Sequence, residues 1–295
     1  MRRSVTSWEK GVKKGAKDKD RSFTSLNKTA MSNPSLPQET LDYIVDLLHG
    51  EPEALKACCL VSKSWVSRTR KHLFVRVLFR SADDLEAWRA TFPDPANSPA
   101  SYSLALSVCS PAVPGADTEA GGLIRSFSHI ESLHVAAEIN LDNAEVSLAP
   151  FRGISPTLKS LRVYSFFLCP QVFDLVRSFP LLEDLALTGM NNSLDDDGGP
   201  HEPQTIIPST SPPLTGCLDL ITPSMGYAVR RLVDIPNGIH FRKLMLSWFL
   251  EEDFRWIMEL ILRCADTLES LDIGCSLQGM CSGSALGLKL TFALS

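Results

Sequence analysis

From residue 130 onward one short form recurs: an apolar residue, two others, leucine, one other residue, an apolar residue. It reads Ile130-Glu-Ser-Leu133-His-Val135, Leu158-Lys-Ser-Leu161-Arg-Val163, Leu182-Glu-Asp-Leu185-Ala-Leu187, Phe241-Arg-Lys-Leu244-Met-Leu246 and Leu268-Glu-Ser-Leu271-Asp-Ile273. Weaker copies stand at Leu104-Ala-Leu106 and Leu218-Asp-Leu220. The central leucines, at 104, 133, 161, 185, 218, 244 and 271, are 24–33 residues apart. Leucine and an apolar residue two positions apart point to one side of a strand. The stretches between supply helical patterns: residues 169–179, and residues 251–263, where Phe254, Ile257, Met258 and Ile261 make an i, i+3, i+4, i+7 face. One such strand with one such helix cannot close a core. Stacked copies can, because each buries its neighbour's apolar face, and a period of this length is the mark of a solenoid.

This half resembles the leucine-rich-repeat family, with one departure. The family places Asn or Cys five positions after the first strand leucine, where its side chain bonds the backbone of the next turn. Here those positions hold Glu138, Phe166, Met190, Pro223, Phe249 and Ser276. The resemblance therefore implies an irregular α/β solenoid without that ladder.

The N-terminal part follows a different rule. Over residues 36–74 three short helical patterns succeed one another, the first two opened by Pro37 and Pro52, which suit a first helical position. Glu39 and Glu53 add negative charge to those first turns. Leu41, Ile44, Val45 and Leu48 share one face, with Gly50 as the stop; Leu55, Cys58 and Cys59 share another; the third pattern carries Trp65, Thr69 and Leu73. A unit of this size buries its apolar surface poorly alone and is expected to dock on something.

That segment resembles the F-box family, on Leu36-Pro37-x-Glu39, on Ile44 and Leu48 at helical spacing, and on the run from Leu55 through Val61 and Lys63 to Trp65. The resemblance implies a three-helix F-box binding a Skp-type linker protein, and through it a cullin, with Leu36, Pro37, Glu39, Ile44, Leu48, Leu55, Val61 and Trp65 at or behind the contact. It also implies that the repeat domain holds a target protein for ubiquitin transfer. The division read from the sequence is a basic leader over 1–31, the F-box over 32–79 and the repeat domain over 80–295. A repeat scaffold acting outside any ubiquitin ligase is the alternative.

Other features narrow the class. The chain has 295 residues, 44% of them hydrophobic, enough for a sizeable core. No apolar run approaches about eighteen residues, and the N-terminus lacks a hydrophobic signal core, so the expected location is cytoplasm or nucleus, without a membrane partner. The eight cysteines form no Cys-x-x-Cys pair and read as reduced, mostly buried side chains. Phosphate-cradling glycine motifs, a nucleophile elbow and His-Glu-x-x-His are all missing, and the six histidines are scattered. We therefore expect no enzymatic activity, cofactor or metal. Asp195, Asp196 and Asp197 are adjacent rather than spaced as calcium ligands and read as a solvated loop within residues 190–216.

Both ends of the chain carry expectations of their own. After Ile273 the tail has no acidic residue and a single Lys289, but Leu286, Leu288, Leu290 and Phe292 alternate, so it is read as one added edge strand. Such a tail covers the far side of that strand poorly. The expectation is a truncated chain or an end covered by a partner, with self-association.

Residues 1–30 hold nine Lys or Arg against three acidic residues, a net of +6 in a chain of −5. A segment so poor in apolar periodicity is expected to stay disordered, with nucleic acid not among its expected partners. Met31 is a possible natural start. A chain beginning at Met31 should bind a Skp-type linker with unchanged affinity in calorimetric titration, and limited proteolysis of the full chain should cut first before residue 31. Protection of that segment, or a large loss of affinity on its removal, is the contrary result.

Overall fold

A computed structural model describes residues 36–109, 119–136, 148–190, 213–235, 238–276 and 287–293. The leader and the aspartate-rich loop lie outside them. The chain opens with α1 (Gln38–Leu47), α2 (Pro52–Val61) and α3 (Lys63–Leu73). Pro52 takes the first position of α2, whereas Pro37 stands one residue before α1 as its N-cap. Ser62 caps α3 by accepting from the Ser64 amide. Next come β1 (Arg76–Phe79), α4 (Ala82–Thr91), β2 (Ala105–Val108), α5 (Glu119–Arg125), β3 (Ser132–Ala136) and β4 (Ser160–Ser165). After them come α6 (Pro170–Arg177), β5 (Asp184–Gly189), β6 (Leu214–Ile221), α7 (Met225–Val233), β7 (Ile239–Ser247), α8 (Phe254–Cys264), β8 (Ser270–Ser276) and β9 (Gly287–Ala293).

The fold is α/β. The nine strands lie side by side in chain order, eight of them parallel, and the sheet is open. Only β9 runs antiparallel, against β8, so the tail does add an edge strand. Register aligns two inward positions across all eight parallel strands. One row is Val77, Leu106, Leu133, Leu161, Leu185, Leu218, Leu244 and Leu271; the other is Phe79, Val108, Val135, Val163, Leu187, Leu220, Leu246 and Ile273. All are buried except Ile273, which packs against the core from its margin. The first row corrects the expected pattern at its start: Leu106, not Leu104, aligns with Leu133, and Leu104 is exposed before the strand. Strand β1, which follows α3 directly, is the first rung of this sheet.

Helices cover the inward face of the sheet. Val172, Phe173, Val176, Ala228, Val229, Leu232, Ile257 and Leu260 are buried with the two rows in one core. The face of α8 differs from expectation. Ile257, Leu260 and Cys264 are buried, while Phe254 and Met258 face solvent. The helix is rotated because Trp256 packs toward α7, over Gly226 and beneath Arg230.

Strand entries repeat a backbone device. The carbonyl before one strand accepts two amides from the next unit: Val75 from Leu104 and Ala105, Leu104 from Glu131 and Ser132, Glu131 from Lys159 and Ser160, Lys159 from Glu183 and Asp184. At the entry to β6 the pattern changes. Glu183 accepts from Cys217 alone at 2.7 Å, and the register shifts between Gly216 and Cys217. Gly216 has φ 82°, and a Cβ there would lie 1.9 Å from the Glu183 carbonyl oxygen. Only glycine fits this bulge.

The first rung is closed by an aromatic cluster. Trp88 of α4 meets Phe74, Phe79, Phe92 and Phe127 with ring centroids 5.0–5.6 Å apart. The Ser103 hydroxyl donates to the Phe74 carbonyl at 2.8 Å, so the three-helix unit joins the sheet through fixed contacts.

Gly216→Ala should lower the free energy of unfolding by at least about 2 kcal/mol, from left-handed strain together with the carbonyl clash. Chemical denaturation followed by tryptophan fluorescence measures it; an unchanged midpoint would contradict the tight entry of β6.

Candidate partner-binding surfaces

Two surfaces stand out, one on the helical unit and one on the sheet. Within the unit, Val45, Leu55, Cys58 and Thr69 form a small interior, and the Thr69 hydroxyl donates to the Trp65 carbonyl. Helices of ten and eleven residues around so few buried side chains leave apolar groups outside. On α1 these are Tyr43, Ile44 and Leu47, with Leu36 just ahead of the helix; at the end of α2 they are Leu60 and Val61. Leu47 is 63% and Leu60 81% exposed, values at which a side chain contributes almost nothing to the unit's own packing.

The residues expected at a contact are therefore divided. Leu36, Pro37, Glu39, Ile44 and Val61 are exposed, Leu48 and Trp65 are half-buried, and Leu55 lies in the interior at 1% exposure. Leu55 shapes the surface from behind rather than forming it. Tyr43, Leu47 and Leu60 are exposed and were not expected. Their signal was available: Tyr43 and Leu47, four apart, lie off the face that α1 turns inward through Val45.

A charged clamp fixes α1 against α3. Arg68 donates from Nε to Asp46 Oδ1 at 2.6 Å and from Nη2 to Oδ2, while His72 Nε2 lies 2.7 Å from Oδ1. The guanidinium, then the imidazole, hold the Asp46 carboxyl far below the usual carboxylate range, and the same bonds raise Arg68. Asp46 precedes Leu47, so the clamp also orients the exposed stripe of α1.

The second surface is the sheet face opposite the helices. Its central row is Leu78, Ser107, His134, Arg162, Ala186, Asp219, Met245 and Asp272. Arg162 is exposed between His134 and Asp219. Burial, with Arg162 nearby, lowers His134 and favours its neutral form. Burial raises Asp219, with Arg162 opposing. Arg76 and Arg162 lie on the β1–β4 half, and Asp184, Asp219 and Asp272 on the β5–β8 half together with Arg242 and Lys243. The face is thus basic on β1–β4 and of mixed charge on β5–β8. Tyr164, Phe166 and Met190 are exposed at the carboxyl ends of β4 and β5, where the Tyr164 hydroxyl donates to the Met190 sulfur at 3.0 Å.

The buried thiols have no sign of activation. Burial pushes Cys169 and Cys264 up, away from the thiolate. Among the described residues no three His, Cys, Asp or Glu side chains come together as a metal site, and no helix is long and apolar enough to cross a membrane.

Asp46 supplies a pH signature. Its folded-state value lies below the unfolded 3.8, so the clamp contributes fully above that value and weakens as pH falls below it. Hydrogen exchange across α1 should therefore accelerate, relative to the sheet, as pH drops below about 4. Asp46→Asn should show fast exchange already at neutral pH and lose that acid dependence. Identical α1 protection in the two proteins would rule the clamp out.

The sequence matches no protein-family model, and neither a curated protein nor a solved structure matches it.

Proposed function

We propose that this chain is a substrate-recognition adaptor of a Skp–cullin–F-box ubiquitin ligase. The F-box would span residues 32–79, and residues 80–295 would be an irregular leucine-rich-repeat-like solenoid. The observation that carries this reading is the apolar surface left on α1 and α2: a three-helix unit that exposes Leu36, Tyr43, Ile44, Leu47, Leu60 and Val61 is built to be covered. The motif residues Leu36, Ile44 and Val61 belong to that exposed set, and Pro37 is exposed beside Leu36. Eight parallel strands in chain order are what a stacked-repeat domain requires.

On this reading the chain contributes no chemistry of its own. It holds a target beside a ubiquitin-conjugating enzyme and raises the effective concentration of the acceptor lysine. The sheet face opposite the helices is where the target would dock. The aromatic cluster around Trp88 fixes the linker-binding unit to the sheet domain, so the two partners would be held at a constant separation.

Ile44→Asp and Leu47→Asp should each weaken recovery of a Skp-type linker at least about a hundredfold, because a charge buried without a partner in an apolar contact is costly. Co-purification at high salt with the full chain reads this out. Circular dichroism should show the sheet domain intact. Linker recovery that survives both changes overturns the ligase reading and leaves a scaffold outside it.

A further inference from the structure

The open face of the sheet changes character after β4. On β1–β4 no outward position of a strand is acidic. β2 and β3 present small side chains there, Ala105, Ser107, Ser132 and Ala136, around half-buried His134. Arg76 and Leu78 on β1, and Arg162 and Tyr164 on β4, stand exposed on either side of this low floor. Neither Arg76 nor Arg162 is in an ion pair among the described residues. The two positions are three strands and two residues apart in register. That is about 16 Å, at roughly 4.8 Å a strand and 3.3 Å a residue.

Charge and spacing together say what fits there. Two exposed guanidinium groups without an acidic neighbour on their own strands call for an anion. Their separation suits two carboxylates on one extended chain, about four or five residues apart. A single phosphoryl group would need its cations converged on one point. Asp184 and Asp219, on the next two strands of the same face, repel a polyanion long enough to run on across the sheet, as a nucleic acid would. His134, kept neutral by burial, adds no charge to the floor but offers a hydrogen bond.

We infer that an acidic segment of the target protein lies extended across β1–β4, with Asp or Glu carboxylates on Arg76 and Arg162. This rests on the reading that the open face receives the target, and is independent of the linker contact on α1 and α2.

The probe is a fluorescein-labelled peptide of about twelve residues, with glutamates four apart in a Ser/Ala sequence, titrated with the full chain. Its anisotropy should show saturable binding at low salt that weakens as salt rises. Arg76→Glu and Arg162→Glu should each weaken binding at least about tenfold. Arg255→Glu makes the same change of net charge on α8, in the helix layer, and should leave binding within about twofold. Recovery of a Skp-type linker should be the same for all these proteins. Failure to recover the linker with peptide binding intact would undo the ligase reading and leave this inference standing. No saturable binding, binding indifferent to Arg76→Glu and Arg162→Glu, or an equal loss in Arg255→Glu each overturns the inference. So does binding only when phosphoserine replaces the glutamates, or tighter binding of a single-stranded oligodeoxynucleotide.

Discussion

Everything in this molecule hangs on register. Two apolar positions per strand, aligned across eight parallel strands, form the floor on which all the covering helices rest. A slip of one residue anywhere would turn both rows to the open face and put charge into the core. From β2 to β5 the doubled acceptance of amides at the strand entries resists such a slip: each of these carbonyls fixes where the following unit begins, independently of side chains. This is why the irregular loop lengths are tolerated. The inward leucines of successive strands are 24 to 33 residues apart, yet the chain is returned to the same place each time.

The same register explains what could be read from the sequence. Leu133, Leu161, Leu185, Leu218, Leu244 and Leu271 announced the strands because strand side chains alternate and both inward positions are apolar. The first rungs were harder. Leu104 precedes a second leucine with the same alternation, and only pairing with Leu133 shows that Leu106 is inward. Helix α7 has Met225, Ala228, Val229 and Leu232 at ideal spacing, yet Gly226 breaks the apolar impression; its role depends on Trp256 and Asp253, residues some thirty positions later. The misjudged face of α8 has the same origin. Seven of the nine residues from Phe254 to Leu262 are apolar, which offers two faces, and the neighbour decides which is buried.

For the helical unit, the motif positions indicated where a surface would be without separating its outside from its inside. Leu55 and Val61 look alike as apolar helix residues, but one fills the interior and the other meets water. Tyr43 and Leu47 went unread because a three-helix unit needs only one inward face per helix. The sequence cannot say whether a second apolar face is surplus or surface until the first has been placed.

The direction of β9 has a consequence for how such a chain can change length. Parallel strands added in order require a crossover each, and any interior unit can be duplicated or lost while its neighbours keep their partners. A hairpin strand breaks that rule. A parallel unit laid beyond β9 would meet a strand of opposite polarity, with differently spaced bonds. Growth by repetition is therefore open within the sheet and closed at this edge, which makes the last hairpin a punctuation mark in an otherwise extensible sentence.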